Sequence, residues 1–246
     1  AIEGVYPYVY LDGIVLKRSW AGEIKNVSVL VAIGVDQDGF RRILGVQEGH
    51  KEDKSGWSGF LAHLKERGLK GVRLVISDAC MGLIESVADY YPDADWQRCT
   101  VHFYRNVFSH VPRNKMREVA AMLKAIHAQE KRESAEEKAE AVIATLRGMR
   151  LGKAAELVEA KIHETLTYYN YPQAHWIKLK TNNPMEWIMR EIRRRTKVVG
   201  AFPDGESALM LVSARLRHIA STSWGTRRYM SMDWLNEHDM EAQRIA

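Results

Sequence analysis

Three carboxylates occupy positions where a charged side chain is either costly to bury or typical of a ligand site. Asp12 falls inside a run of strand-forming residues, where an uncompensated charge is costly to bury. Asp78 follows the apolar run 72–76, at the carboxyl end of a predicted buried strand, where open α/β sheets place their ligands. Glu186 lies in the first turn of a helix predicted to begin near Pro184. These three residues are the candidate catalytic and metal-binding groups.

Carboxylate oxygens are the ligands that Mg²⁺ prefers, and three of them can hold two ions about 4 Å apart. Such a pair of ions activates an attacking oxygen and stabilises a leaving oxygen, which is the chemistry of phosphodiester cleavage. Each carboxylate also has a structural alternative. Asp12 with Gly13 could form a hairpin turn, Asp78 could cap the following helix, and Glu186 could complete a capping box with Asn183.

A second motif, Cys99-x-x-His102, raises the question of zinc. It supplies two ligands, perhaps three with Cys80, whereas a structural zinc site needs four. We therefore expect no zinc, a buried Cys99 and a hydrogen-bonded His102, and the role of the motif stays open. Two cysteines cannot form a disulfide framework, which is typical of a reducing cytoplasm. The sequence contains no Gly-x-Ser-x-Gly nucleophile motif and no Walker phosphate-binding loop.

The net charge of +5 is concentrated near the end of the chain. Between positions 186 and 230 there are nine basic and four acidic residues, and 9 − 4 = +5. Clustered arginines suit bidentate contacts to phosphate and provide affinity for nucleic acid. A solvated helix face is the alternative interpretation. The candidate DNA contacts on the helix that follows Glu186 are Arg190, Arg193, Arg194, Arg195 and Lys197.

Hydrophobic patterns predict an α/β core that is split by helices. Residues 6–17, 27–35 and 41–47 read as an antiparallel meander. Further elements are predicted at 56–67 (helix), 72–76 (strand), 81–91 (helix), 95–102 (strand) and 207–220 (helix), with an all-helical stretch from about 104 to 171. No apolar run reaches the roughly 20 residues of a membrane helix. A secretory signal and an initiator Met are also lacking, so we expect a fragment or processed form of an intracellular protein.

Five segments together resemble the Mutator-type transposases of bacterial insertion sequences. The most specific are TNNPME at 181–186 and REIRRRTKVVGAFP at 190–203; the others are YVYLDG at 8–13, QRCTVH at 97–102 and ARLRH at 214–218. They occur in the order of the family and cover essentially the whole chain. The sequence departs from the family pattern at Ala79-Cys80 and at Trp187 and Met189, where local DNA contacts are expected to differ.

The resemblance implies a ribonuclease-H-like α/β fold, a mixed five-stranded sheet with flanking helices interrupted by an all-helical insertion. The corresponding domains are 1–103 (first part of the catalytic core), 104–176 (insertion) and 177–246 (Glu-bearing helix and basic helical region). It also implies a catalytic triad of Asp12, Asp78 and Glu186. The family carries a further N-terminal region that recognises the terminal repeats, and this chain starts beyond it.

The resemblance implies a DNA transposase that uses Mg²⁺, with Mn²⁺ as a substitute, to cleave element ends and transfer their 3′-hydroxyls into target DNA. Its partners would be double-stranded DNA, both terminal repeats and target, and further copies of itself on that DNA, with no membrane involved. The expected location is the bacterial cytoplasm at the nucleoid. Two alternatives remain: a catalytically silent DNA-binding domain derived from a transposase, and another ribonuclease-H-like nuclease or resolvase.

Overall fold

A computed structural model of the chain describes residues 1–20, 23–49 and 54–245, and its centre is one mixed sheet. The strands of this sheet are β1 (Tyr8–Trp20), β2 (Glu23–Val35), β3 (Arg41–Gly49), β4 (Leu74–Ser77) and β5 (Asp95–Arg98). They lie in the order β3-β2-β1-β4-β5. β2 runs antiparallel to both β1 and β3, whereas β4 runs parallel to β1.

The sequence explains why these strands form where they do. β2 and β4 are rich in Val, Ile and Leu and are buried over most of their length, as expected for strands covered on both faces. The turn between β2 and β3 is closed by Asp36, whose Oδ1 accepts hydrogen bonds from the backbone N–H groups of Asp38 and Phe40. Gly39 supplies the positive φ of +85° that this turn requires.

Helices cover both faces of the sheet. Those of the sheet-containing part are α1 (Lys54–Glu66), α2 (Met81–Tyr90), α8 (Asn183–Val199), α9 (Gly205–Ala220), α10 (Ser223–Thr226) and α11 (Asp233–Ile245). On one face, Val9 and Leu11 of β1 belong to a buried cluster with Phe60 and Leu64 of α1. Side chains alternate along a strand, so Tyr10 and Asp12 lie on the opposite face, where α8 and α9 contact β1.

The chain forms two compact units, Ala1–Trp96 with Asn182–Ala246, and Gln97–Thr181. The second unit is helical, with α3 (Thr100–Phe108), α4 (Met116–Ile126), α5 (Arg132–Gly148), α6 (Gly152–Lys161) and α7 (Trp176–Leu179), and short 3₁₀ turns at Arg113–Lys115, Ile162–Thr165, Thr167–Asn170 and Gln173–His175. It has its own core, built from residues such as Phe103, Leu123, Val142 and Leu146. The predicted domain limits at 103/104 and 176/177 stay a prediction of where the catalytic core is interrupted.

The mixed five-stranded sheet with helices on both faces confirms the predicted ribonuclease-H-like fold class. One predicted element was wrong in part. The strand expected over 95–102 ends at Arg98, and a helix begins at Thr100. Cys99 and Phe103 are fully buried, and their spacing of four fits a helix rather than an alternating strand. Among the helices of the described residues, none is long and apolar enough to cross a membrane.

A polar network inside the helical unit surrounds His127. The ring is buried, with Nδ1 2.7 Å from the Tyr104 hydroxyl and Nε2 2.8 Å from Oγ1 of Thr165. The Thr165 hydroxyl donates to the carbonyl of Ile162 and therefore accepts from Nε2. The Tyr104 hydroxyl has one proton and two acceptors within reach, Nδ1 of His127 and, at 3.1 Å, the carbonyl of Leu123; donation to Nδ1 leaves the imidazole neutral. Burial lowers the pKa of His127 to about 4.

This pKa predicts that acid weakens the helical unit. Between pH 6.5 and pH 4 the unfolded chain binds a proton at His127 that the folded chain does not, so the stability that is present above pH 6.5 is lost on acidification. At pH 4.5 the loss from this group is about 2–3 kcal/mol. We expect the free energy of unfolding, measured with urea at several pH values, to fall less steeply for His127→Gln than for the parent chain. Equal slopes for the two proteins would show that His127 does not cause the acid sensitivity.

Candidate active site and nucleic-acid interface

Asp12 lies in the middle of β1, not in a turn. It pairs with Val31 of β2, and the ladder between the two strands continues without a break to Trp20 and Glu23. The Asp12 side chain is half-buried, and its Oδ1 accepts a hydrogen bond of 2.9 Å from the backbone N–H of Gly13. The hairpin-turn alternative is thereby excluded. A carboxylate at this position is held by the backbone of a central strand.

Asp78 follows β4, and the pairing of β4 with β1 sets its position. Tyr10 lies opposite Ile76, an offset of 66 residues, and the same offset brings Asp78 to the level of Asp12. Adjacent strands are about 4.8 Å apart, so a continued register would place the backbones of Asp12 and Asp78 next to each other, just beyond the last pair of the ladder. Asp78 does not cap α2, since the N-cap residue is Cys80. Its Oδ1 instead accepts from the backbone N–H of Ala79 at 2.7 Å.

Glu186 is brought to this edge by its helix, α8. The N-cap residue is Asn182, which is fully buried, and its Nδ2 donates to the carbonyl of Leu11 at 3.1 Å. Glu186 is one turn farther on, its N–H donating to the Asn182 carbonyl at 2.9 Å. The N-cap predicted at Asn183 was therefore wrong by one residue, and Glu186 stands one position beyond that of a capping-box Glu.

The three candidate carboxylates thus belong to neighbouring elements, and all are half-buried. Their side chains do not form a ready-made cluster: among the described residues, no group of three or more His, Cys, Asp or Glu could hold a metal ion as it stands. Three ionised carboxylates on neighbouring elements repel one another unless a cation lies between them. The assignment of Asp12, Asp78 and Glu186 as a metal-binding triad stays a prediction.

Helix α8 runs along β1, because both of its ends are bonded to that strand. Besides the bond from Asn182 to Leu11, the N–H of Phe202, just past the helix, donates to the carbonyl of Lys17 at 2.9 Å. From Asp12 to Lys17 the strand rises about 16 Å, and from Glu186 to residue 197 the helix rises about the same distance. Helix and strand therefore advance together, away from the carboxylates.

This arrangement places a row of cations beyond the carboxylates. Arg190, Arg193 and Lys197 follow Glu186 at i+4, i+7 and i+11 and share its side of the helix. Arg193 and Lys197 line a cavity of about 280 Å³ together with Lys17 of β1. Lys17 was missed from the sequence because it is about 180 positions away along the chain. The only local feature that marks Lys17 is its place as a polar residue in the alternating pattern of a strand.

The remaining predicted DNA contacts are placed differently. Arg194 pairs with Glu191 at 3.0 Å, and Glu191 also pairs with Arg215 at 2.6 Å. These two guanidinium groups lower the pKa of the Glu191 carboxyl through their hydrogen bonds. Arg195 is exposed. Successive residues of a helix are about 100° apart, so Arg195 lies on a different side of α8 from Glu186. The structure thus brings Arg190, Arg193 and Lys197 together with Glu186 and leaves Arg194 and Arg195 outside that row.

The Cys99-x-x-His102 motif lies at the start of α3 in the helical unit. Cys99 is the N-cap residue and is fully buried, while His102 is half-buried in the first turn. The expected hydrogen bond of His102 is not seen at Nδ1, which is buried and has no partner among the described residues. The role of the motif stays open.

Sequence comparisons agree with one another on the family. The model of the family described as "Transposase, Mutator family" matches residues 1–225. The transposase for ISRM5 of Rhizobium meliloti is 39% identical over all of this chain and 62% of its own length. That for IS406 of Burkholderia multivorans is 40% identical over 88% of this chain and 56% of its own. The IS256 transposase of Tn4001 from Staphylococcus aureus is 31% identical over 93% of this chain and 59% of its own length.

Among solved structures, the chain is similar to the catalytic core domain of BIV integrase, with 13% identity and a TM-score of 0.25 over 77% of this chain and 99% of that one. The chain spans about three fifths of the length of the three transposases named above. The family match covers the elements that carry Asp12, Asp78 and Glu186 and the basic row of α8. The chain belongs to the Mutator family of insertion-sequence transposases.

Proposed function

We propose that the sheet-containing unit is the catalytic core of the transposase, which cleaves DNA at the ends of an insertion sequence and joins the freed 3′-hydroxyls to target DNA. The observation that carries this proposal is the convergence of three elements at one sheet edge. In support of it, Asp12 and Asp78 each follow the last β1–β4 pair, Tyr10–Ile76, by two residues, and the bond from Asn182 to Leu11 ties the start of the helix of Glu186 to β1. The protein would act in the bacterial cytoplasm, on the DNA of the nucleoid.

The donor set suits Mg²⁺, with Mn²⁺ as a substitute. Asp12, Asp78 and Glu186 offer hard oxygen ligands on three separate elements, and their mutual repulsion gives them a reason to bind a divalent cation. When bound, such ions activate a water or a 3′-hydroxyl and stabilise the leaving oxygen. Asp12, on the central strand, would contact both ions, and Asp78 and Glu186 would complete one site each. Zinc is not part of the proposal.

The chain's own residues would hold the DNA in place. Arg190, Arg193 and Lys197 extend from Glu186 for about 16 Å, the length of roughly five base-pair steps. Lys17 of β1 lines the same cavity as Arg193 and Lys197. These groups neutralise phosphates and thereby hold the scissile bond near the carboxylates. The DNA segments would be the element's terminal repeats and the target, bound by two or more copies of the protein.

Loss of one carboxylate is expected to abolish cleavage without unfolding the protein. Asp12→Asn keeps the size and the hydrogen bond to Gly13 but removes the charge, so Mg²⁺-dependent nicking of supercoiled DNA should fall by roughly a thousandfold or more, equivalent to about 4 kcal/mol. The melting temperature should stay within a few degrees. Asp93→Asn, an exposed carboxylate outside the site, is the control and should nick normally. If Asp12→Asn nicks at the parental rate, cleavage uses other residues; if neither the parent nor the variant nicks, the chain is a silent DNA-binding domain.

The basic row is expected to set the salt dependence of DNA binding. Arg193→Ala/Lys197→Ala removes two cations on the side of Glu186, so the magnitude of the slope of log K against log salt should decrease by about 0.9 for each lost phosphate contact. Arg194→Ala/Arg195→Ala removes the same charge from the same helix and should change the slope by less than half as much. Fluorescence anisotropy at several salt concentrations measures both. Equal slopes for the two double variants would exclude a directional row.

Asn182 is expected to act as a positioning residue for Glu186. Asn182→Ala removes the bond to Leu11 and costs about 1–2 kcal/mol of stability. It should also raise the Mg²⁺ concentration needed for half-maximal nicking by about tenfold, because the helix of Glu186 is no longer fixed beside Asp12. Leu61→Ala in the core destabilises the same unit without touching the site and should leave the Mg²⁺ requirement unchanged. A parental Mg²⁺ requirement in Asn182→Ala would reduce its role to stability alone.

A further inference from the structure

A second basic site lies at the edge of the sheet, away from the carboxylates. A cavity of about 400 Å³ opens between β3, the first strand of the sheet order, and α9. Four arginines line it, and among the described residues that line it none is acidic. We call this site the arginine pocket; it consists of Arg41, Arg42, Arg67 and Arg217.

Arg41 is fixed in the pocket by aromatic rings rather than by a carboxylate. Its guanidinium lies 4.6 Å from the ring centroids of both Trp224 and Tyr229. Its Nε is buried and has no hydrogen-bond partner among the described residues. Burial lowers the pKa of Arg41, but an arginine remains charged at neutral pH. The rings therefore orient a cation without cancelling its charge.

The other three arginines leave most of the positive charge available. Arg42 pairs with Asp36 at 3.0 Å. Arg67 donates to the carbonyl of Leu44 at 2.6 Å, a neutral acceptor, and thereby occupies a backbone group that an added β-strand would need. Arg217 is exposed, and its guanidinium has no ion-pair partner among the described residues. The pocket thus combines four cations with one paired carboxylate, which favours an anionic ligand over an added strand.

The strand register places the pocket relative to the carboxylates. Arg41 pairs with Val35, which pairs with Tyr8, so Arg41 shares the sheet face of Tyr8 and Asp12. Four residues along β1 and two strands across correspond to about 16 Å between Asp12 and Arg41. This direction is opposite to that of Lys17, so the carboxylates lie between two basic clusters of the same unit.

We propose that the arginine pocket binds the phosphodiester backbone of a DNA segment that continues past the carboxylates on the side away from Lys17. The guanidinium fork suits phosphate oxygens, and two clusters on opposite sides of a cleavage site would hold the duplex on both sides of the scissile bond. The proposal rests on the proposed function for the presence of DNA, but not on cleavage itself. It assigns a second stretch of backbone contacts that the basic row of α8 does not reach.

The test removes the two exposed arginines of the pocket, Arg42 and Arg217, and the melting temperature is measured to check that loss of the Arg42–Asp36 pair leaves the protein folded. In Arg42→Ala/Arg217→Ala, Arg41 keeps its contacts with the rings, and Arg67 keeps its bond to Leu44. Binding to a 30-base-pair duplex, about 100 Å long and able to reach both clusters, is measured by anisotropy at several salt concentrations. We expect the slope magnitude to fall by about 0.9, and the affinity at 0.1 M salt to fall roughly eightfold, for each lost contact. Arg227→Ala/Arg244→Ala, which removes two exposed arginines outside the pocket, should change neither.

The remaining arms separate DNA from other anions. If the pocket variant has the slope of the control, the proposal is overturned. It is also overturned if the variant loses binding of inorganic phosphate, of adenosine monophosphate or of a poly-glutamate peptide while keeping the parental slope for duplex DNA. Asp12→Asn is measured in parallel and should keep the parental slope. Persistent cleavage by Asp12→Asn would end the proposed function, whereas the slope of the pocket variant would still report on the pocket.

Discussion

The parallel pairing of β1 with β4 is the contact on which the arrangement of this molecule depends. It aligns Tyr10 with Ile76, and Asp12 and Asp78, which no local feature of the sequence connects, each follow this last pair by two residues. β1 also receives the backbone or side-chain bonds that hold both ends of α8, at Leu11 and at Lys17. One strand therefore sets the position of two carboxylates directly and of the third through a helix. A slip of β4 by one residue would turn its side chains to the opposite face and separate Asp78 from Asp12, and the proposed site would be lost.

The three carboxylates and the two lysines, Lys17 and Lys197, are far enough apart to act independently of one another. Lys17 and Lys197 lie about 16 Å along β1 and α8 from the carboxylates, which exceeds the Debye length of about 8 Å at physiological salt. These lysines therefore cannot neutralise the carboxylates, whose repulsion the proposed divalent cation would relieve. For the same reason the carboxylates do little to weaken the lysines' attraction for phosphate. Arg190, one turn from Glu186, is the one member of the row close enough to affect both.

The sequence was sufficient for those features that depend on local patterns. Asp12 within a strand and Glu186 at the start of an amphipathic helix followed from periodicity, and the fold class and family followed from the resemblance. The features that it missed depend on distant partners. Lys17 lines the same cavity as Arg193 because α8 is bonded to β1. Arg194 is paired with Glu191, which also pairs with Arg215 of α9. A short stretch of sequence contains no information on contacts between residues that are far apart along the chain.

The one-residue error at the start of α8 has the same origin. Asn182 and Asn183 have the same intrinsic preference for the N-cap position, and Pro184 favours Asn183 because Pro is common at the first helical position. A buried amide must find a hydrogen-bond partner, and Asn182 finds the Leu11 carbonyl on a strand 171 residues away in sequence. That bond fixes the N-cap residue of α8 against β1, one turn before Glu186. A tertiary contact thus sets what first seemed a local choice.

The departures from the family pattern fall into two groups when placed in the structure. Met189 is almost completely buried in the face of α8 that packs on the sheet, so its difference from the family concerns packing. Trp187 is half-buried and next to Glu186, and Ala79 is exposed and donates its N–H to Asp78. These two positions flank the carboxylates without contributing one. Differences in how members of the family contact DNA at the scissile bond are therefore expected at positions 79 and 187, and not at 189.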